Sequence, residues 1–209
     1  MKNNNSSNKL LNARLLELLS KNYQSLTLNE KKEIFSLAVE HISTNYGNKL
    51  TNIIIQDAVD SSKPIAQCGF ILDNGKFYHL ITVNFFVMQN FPVERIILVA
   101  CHECAHLFEN DKIARNIDFS SELGIESYIS SISRKNEDWY ASEKEFEADR
   151  LGYFVSKNIF QRAVHDTEDL QMKRKLWDSF SLLSYNESIE LEKHRTKMDE
   201  ASNSKKNKT

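Results

Sequence analysis

CHECAHLF, residues 101–108, sets two cysteines and two histidines around one glutamate. On an α-helix side chains advance by about 100° per residue, so His106 falls only about 40° from His102, with Glu103 at about 100°. Cys104 and Cys101 fall at about 200° and about 260°, largely on the other side. The imidazoles, not the thiols, therefore share a face with the glutamate flanking them. Two histidines four apart can converge on one tetrahedral Zn²⁺ from a single helix. Glu103, displaced from the pair, is set to accept a proton from zinc-activated water, whose pKa the metal lowers to about 7. A Cys101-x-x-Cys104 redox or zinc-knuckle pair is the rival reading. It lacks a second such pair, and it sits well past the helix start, where the dipole that lowers a thiol pKa is lost. The cysteines read as small core residues, and Cys68 has no assigned role. A polar patch on an ordinary helix is the bland alternative for the histidines. Against it, Leu98 and Val99 just before are apolar, and buried imidazoles need a polar partner.

The surrounding run, RIILVACHECAHLF (95–108), is apolar but carries His102, Glu103 and His106. It reads as a buried helix, since a membrane span needs about 20 apolar residues. Pro92 suits the first helical position, which predicts a helix from Pro92 to about Phe108. Upstream, PIAQCGFIL (64–72) and KFYHLITVNFF (76–86) flank Asp73-Asn74-Gly75, a reverse-turn signal that predicts an antiparallel hairpin. TNIIIQDAV (51–59) adds a short β-branched run. Two helices precede these strands. LLNARLLELLSKN (10–22) has leucines at helical spacing. The second helix opens on a capping box made by Thr27 and Glu30, and Gly47 offers its stop. Residues 109–136 show no clear period. A helix is expected from near Asn136 through EKEFEADRLGYFVSKNIF, and another over 168–184 with Leu170, Leu176, Trp177, Phe180 and Leu183 as apolar positions.

These elements predict an α+β fold, mainly helical, with a small antiparallel sheet beside the metal-binding helix. Residues 1–9 read as a disordered leader, 10–186 as one domain, and 187–209 as a charged, flexible tail. The 209 residues are enough for one well-buried core. A formal net charge of −2, from 27 basic and 29 acidic side chains, gives no electrostatic handle for nucleic acid or an anionic membrane. Three cysteines leave one over from any disulfide framework, and no secretory signal core follows the N-terminus. A reducing, cytoplasmic setting is expected.

Two histidines leave a zinc site incomplete. KEFEADRLG (144–152) is the best source of the rest. Glu145 and Asp149 share a helix face, and Ala148 and Gly152 would let this helix approach the first one closely. Glu145 as third ligand leaves a fourth position for water. Asp149, one turn on, can accept a hydrogen bond from the outer nitrogen of a ligating histidine, which fixes its tautomer. Spacing alone does not separate Glu145 from Glu143 or Glu147, and a solvated acidic face explains any of them.

HECAH followed by Glu145-x-x-x-Asp149 resembles the gluzincin metallopeptidases. The resemblance implies His102, His106 and Glu145 as zinc ligands, Glu103 as catalytic base and Asp149 as a supporting residue. EFEADRLG resembles the third-ligand region of HtpX-like M48 peptidases. The small size and the hairpin ahead of Pro92, Glu94 and Arg95 are more similar to the soluble ImmA/IrrE-type peptidases of bacteria and phages. The H-E-x-x-H stretch also resembles that of the phage-exclusion peptidase Lit, as a third alternative. The resemblance implies a zinc metalloendopeptidase acting on a protein or peptide, with a regulatory protein as one class of substrate.

In that chemistry Glu103 is the general base, and zinc-activated water attacks the peptide carbonyl. A second electrophile is expected from His165, with His194 and Tyr140 as alternatives. His41 and His79 read as ordinary surface or core histidines. The strand at 76–86 serves either as an edge that pairs with extended substrate or as a core strand. Two other classes remain in view. One is a structural zinc site, which needs a fourth protein ligand such as Asp149. The other is a helical protein-interaction domain in which HECAH is coincidental.

Overall fold

The structure is a computed structural model that describes residues 11–46, 50, 52–58, 64–74, 76–132 and 143–206. The expected leader (1–9), the Gly47 stop, Gly75 of the turn and Tyr140 lie outside the described residues.

α1 (Ala13–Ser20) and α2 (Leu28–Asn45) form as their patterns predict. In α1, Asn12 caps the first turn through its side chain, and Leu15, Leu18 and Leu19 are buried. In α2 the Thr27 side chain accepts from the Glu30 N–H while the Glu30 carboxylate accepts from the Thr27 N–H, the reciprocal box that satisfies two orphan donors. Ile34, Phe35, Ala38 and Ile42 turn inward from α2.

Three strands follow, β1 (Ile53–Asp57), β2 (Ala66–Asp73) and β3 (Lys76–Val83). β2 and β3 form the expected antiparallel hairpin, in register from Ala66↔Val83 to Asp73↔Lys76. Asn74 at its tip has φ 49°, the left-handed conformation that asparagine tolerates best after glycine. β1 pairs parallel to β3, so the strand order is β1-β3-β2 and the sheet is mixed, not purely antiparallel. β3 is consequently the central strand. Its backbone is consumed on both sides, so of the two readings of 76–86 the core strand holds, and β2 lies at an edge of the sheet.

The short α3 (Phe85–Met88) leads into α4 (Val93–Ala114), with Pro92 at the N-cap. α4 extends about two turns beyond Phe108 and is the helix that the rest surrounds. It packs against α2, against β2, and against three later helices: α5 (Glu122–Ile132), α6 (Glu143–Asp166) and α7 (Leu170–Lys206). Ile96, Ile97, Ala100, Cys101, Cys104 and Leu107 of α4 join the core with side chains from α1, α2, β3, α6 and α7.

Beyond 186 the chain departs from expectation. The segment read as a flexible tail continues α7 without a break to Lys206, so the predicted boundary falls inside a helix. The side chain of His194 within it is completely buried. Among the described residues, no helix is long and apolar enough to cross a membrane.

Candidate metal centre

α4 and α6 meet at Gly152. A Cβ there would lie 3.3 Å from the backbone N and Cα of His102, so only glycine permits this approach without displacing the neighbouring backbone. Ala148, buried one turn earlier, continues the small-residue seam. The helices are thus close enough for a side chain from one to meet two from the other.

Three groups meet there. His102 Nε2 and His106 Nε2 are 3.1 Å apart. Glu145 Oε2 lies 3.4 Å from the first and 3.5 Å from the second. Bonds of about 2.0–2.1 Å in a tetrahedral arrangement put donor atoms about 3.3 Å apart, so this nearly equilateral triangle has the dimensions of three corners of such a site. It is the one such group of histidine, cysteine or acidic side chains among the described residues. Glu145 is wholly buried, in a place where a carboxylate needs cationic company. Glu143 is exposed at the start of α6, and Glu147 pairs with Arg150. The choice that spacing left open therefore falls on Glu145.

Asp149 stands behind His102. Its Oδ1 accepts from His102 Nδ1 at 2.7 Å, which turns the other ring nitrogen, Nε2, towards the triangle. Burial pulls the His102 imidazole down, but the bonds to Asp149 and Glu145 outweigh it and raise its pKa to about 10. Asp149 is pushed up by burial, yet His102 and His194 hold it below the usual carboxylate range. Its second oxygen, Oδ2, accepts from His194 Nε2 at 2.8 Å.

Glu103 lies beside the triangle on the wall of a cavity of about 1040 Å³. His102, Glu145 and Asp149 also line it, with Leu98 and Val99 of α4, Ile129 of α5 and Leu182 of α7 as apolar walls. β2 forms one side through Ala66, Gln67, Cys68 and Phe70. The Cys68 thiol, unassigned from sequence, is 3.1 Å from both Oε2 and the backbone oxygen of Glu103, and so holds that glutamate against the strand. Cys101 and Cys104 are buried in the core, as the helical azimuths require, and burial pushes both thiols up.

The remaining candidate does not join this group. His165 sits in the last turn of α6, about 30 Å along the helix axis from Glu145 at 1.5 Å per residue. Its side chain is 88% exposed and contacts Asp166, which removes it from any part in the centre. His194 does reach the site, but through Asp149 rather than through the cavity. A sequence signal for it existed in the four-residue ladder Leu182, Asn186, Glu190, His194, whose first three members line the cavity.

Comparison with protein-family models, with curated proteins and with solved structures returns no match for this chain.

Proposed function

We propose that the chain is a zinc-dependent metalloendopeptidase of zincin-like build, with His102, His106 and Glu145 as the ligands and Glu103 as the general base. The observation that carries the reading is the donor triangle, with edges of 3.1, 3.4 and 3.5 Å, opening beside a glutamate on a cavity wall. A zinc ion held there supplies Lewis-acid chemistry, polarising a carbonyl and easing deprotonation of water.

The chain's own residues do the rest. Glu103 takes the proton of the attacking water and passes it to the leaving amine. The Cys68 thiol fixes Glu103 Oε2, leaving Oε1 as the proton acceptor. The edge of β2 that faces away from β3 offers backbone groups to an extended polypeptide, a role the notched position of Ala66, Gln67 and Cys68 on the cavity wall supports. The apolar walls at Leu98, Ile129 and Leu182 suit a hydrophobic side chain of that substrate. The substrate is then a protein segment presented in extended form, and a regulatory protein fits that class. Three free cysteines accord with a reducing, cytoplasmic setting.

A structural zinc site would require a fourth protein ligand. Asp149, the candidate for that place, has one oxygen on each of two histidines, which favours the open, catalytic reading.

Metal analysis of the purified protein comes first, with one zinc per chain expected. Glu103→Gln should then retain the metal and lose peptidase activity by about 10²–10⁴-fold. New protein termini in a lysate treated with wild type, and absent with Glu103→Gln, would identify the substrate. A chain without stoichiometric metal, or a glutamine variant as active as wild type, rejects the reading.

A further inference from the structure

The site's supporting shell does not end on α6. One face of α7 runs beside it for four turns. Ser179 reaches Glu94 of α4 at 3.5 Å, Leu182, Leu183, Asn186 and Glu190 line the cavity, and His194 arrives at Asp149. His194 is fully buried, with the Phe146 ring edge-on at a centroid distance of 5.9 Å. A polar ring is costly to bury unless it makes its bonds, and this one spends Nε2 on the carboxylate that orients His102.

We infer that His194 is a positioning residue for the metal centre, acting through Asp149 on His102. The proposal rests on the metal-site reading above. Asp149 is a short side chain with free rotation about two bonds, and one hydrogen bond to His102 fixes one oxygen only. The second N–H, from His194 to Oδ2, fixes the plane of the carboxylate. With both oxygens committed, Asp149 can only accept from His102 Nδ1, so Nδ1 keeps the hydrogen and Nε2 faces His106 and Glu145. Such outer-shell orientation commonly contributes 10–100-fold to metal affinity. Neither His102 nor Asp149 could be held this way by α4 and α6 alone, because the second donor comes from a different helix.

The test is zinc affinity by competition with a chromophoric chelator, read on the full chain. His194→Leu removes the donor but keeps the volume apolar, and it should weaken zinc binding about 10–100-fold. His194→Gln retains a side-chain N–H and should recover most of that loss. In an Asp149→Ala background, His194→Leu should produce no further loss, because the group it acts through is gone. Should the leucine variant fail to fold, His194→Asn replaces it, being polar but too short to reach Asp149. Equal losses for the donor-bearing and donor-lacking variants, or an undiminished loss in the Asp149→Ala background, would overturn the proposal and leave the zinc reading standing. A wild-type chain that binds no zinc overturns both, and that result is obtained before any variant is made.

Discussion

Two histidines in this chain, His79 buried and His102 partly buried, sit beside aspartates and end on opposite sides of neutrality. His102 on α4 donates to Asp149 at 2.7 Å, has the Glu145 carboxylate at 3.4 Å, and is raised to about 10. His79 on β3 has Asp111 at 3.4 Å, and burial lowers it below the ordinary histidine range. Its Nδ1 is buried without a hydrogen-bond partner among the described residues, and the Phe77 ring lies edge-on at 4.9 Å. Both pairs contain the same two residue types. The second carboxylate and the shorter bond make the difference: burial pulls both imidazoles down, and only at His102 do the carboxylates outweigh it. A histidine beside one loose aspartate is lowered by its burial; one gripped by two carboxylates is raised, and it belongs to a group whose donor atoms lie close enough to hold a metal ion.

The largest effect that could break this contrast is at Glu145. Glu145→Gln removes the charge from the triangle and should cost metal binding more than the roughly 10–100-fold of an outer partner. Stoichiometric zinc of unchanged affinity, measured by chelator competition, would transfer the third ligand elsewhere. Next come the two aspartates, compared directly. Asp149→Asn should weaken zinc binding by about 10–100-fold, while Asp111→Asn should leave it untouched. Equal losses would erase the distinction between the two pairs.

Gly152→Val probes the helix approach that makes the first pair possible. A Cβ already presses on the His102 backbone at 3.3 Å, and the added methyls should cost about 1–3 kcal/mol of stability, read from chemical denaturation. The smallest effect sharpens the other side of the comparison. As pH falls through about 6.5 an unfolded His79 takes up a proton, whereas the folded ring, its pKa lowered, resists until lower pH. The unfolded state then binds more protons, so this group's contribution to stability falls with pH and is fully present above neutrality. His79→Phe should therefore lose less stability than wild type between pH 7.5 and 5.5. Parallel midpoints would show that His79 titrates equally in both states.

The centre was legible because its grammar is local. Helical azimuth separated His102 and His106 from Cys101 and Cys104, and a single four-residue step joined Glu145 to Asp149. Ala148 and Gly152 announced the close approach, and Asn74 and the Thr27–Glu30 box marked a hairpin and a helix start. What failed depends on distant partners. Nothing within IIIQD says that β1 joins β3 in parallel, yet that pairing makes 76–83 the central strand and leaves β2 at an edge. The stretch after 186 looked like a tail because its large apolar side chains are few. A helix that lines a polar site turns Asn186 and Glu190 to the cavity and buries His194 where a core helix would bury leucines, so hydropathy alone underrates it. His165 failed for the reverse reason: its position along α6 puts it about five and a half turns past Glu145.

The three cysteines give the chain a built-in chemical address. Cys101 and Cys104 are shut in the core with thiols that burial keeps protonated and inert. Cys68 is partly exposed, on the strand that walls the cavity. An alkylating dye therefore has one reachable thiol in the native fold, on the cavity wall 3.1 Å from Glu103. The unmutated protein can carry a fluorophore on the wall of that cavity.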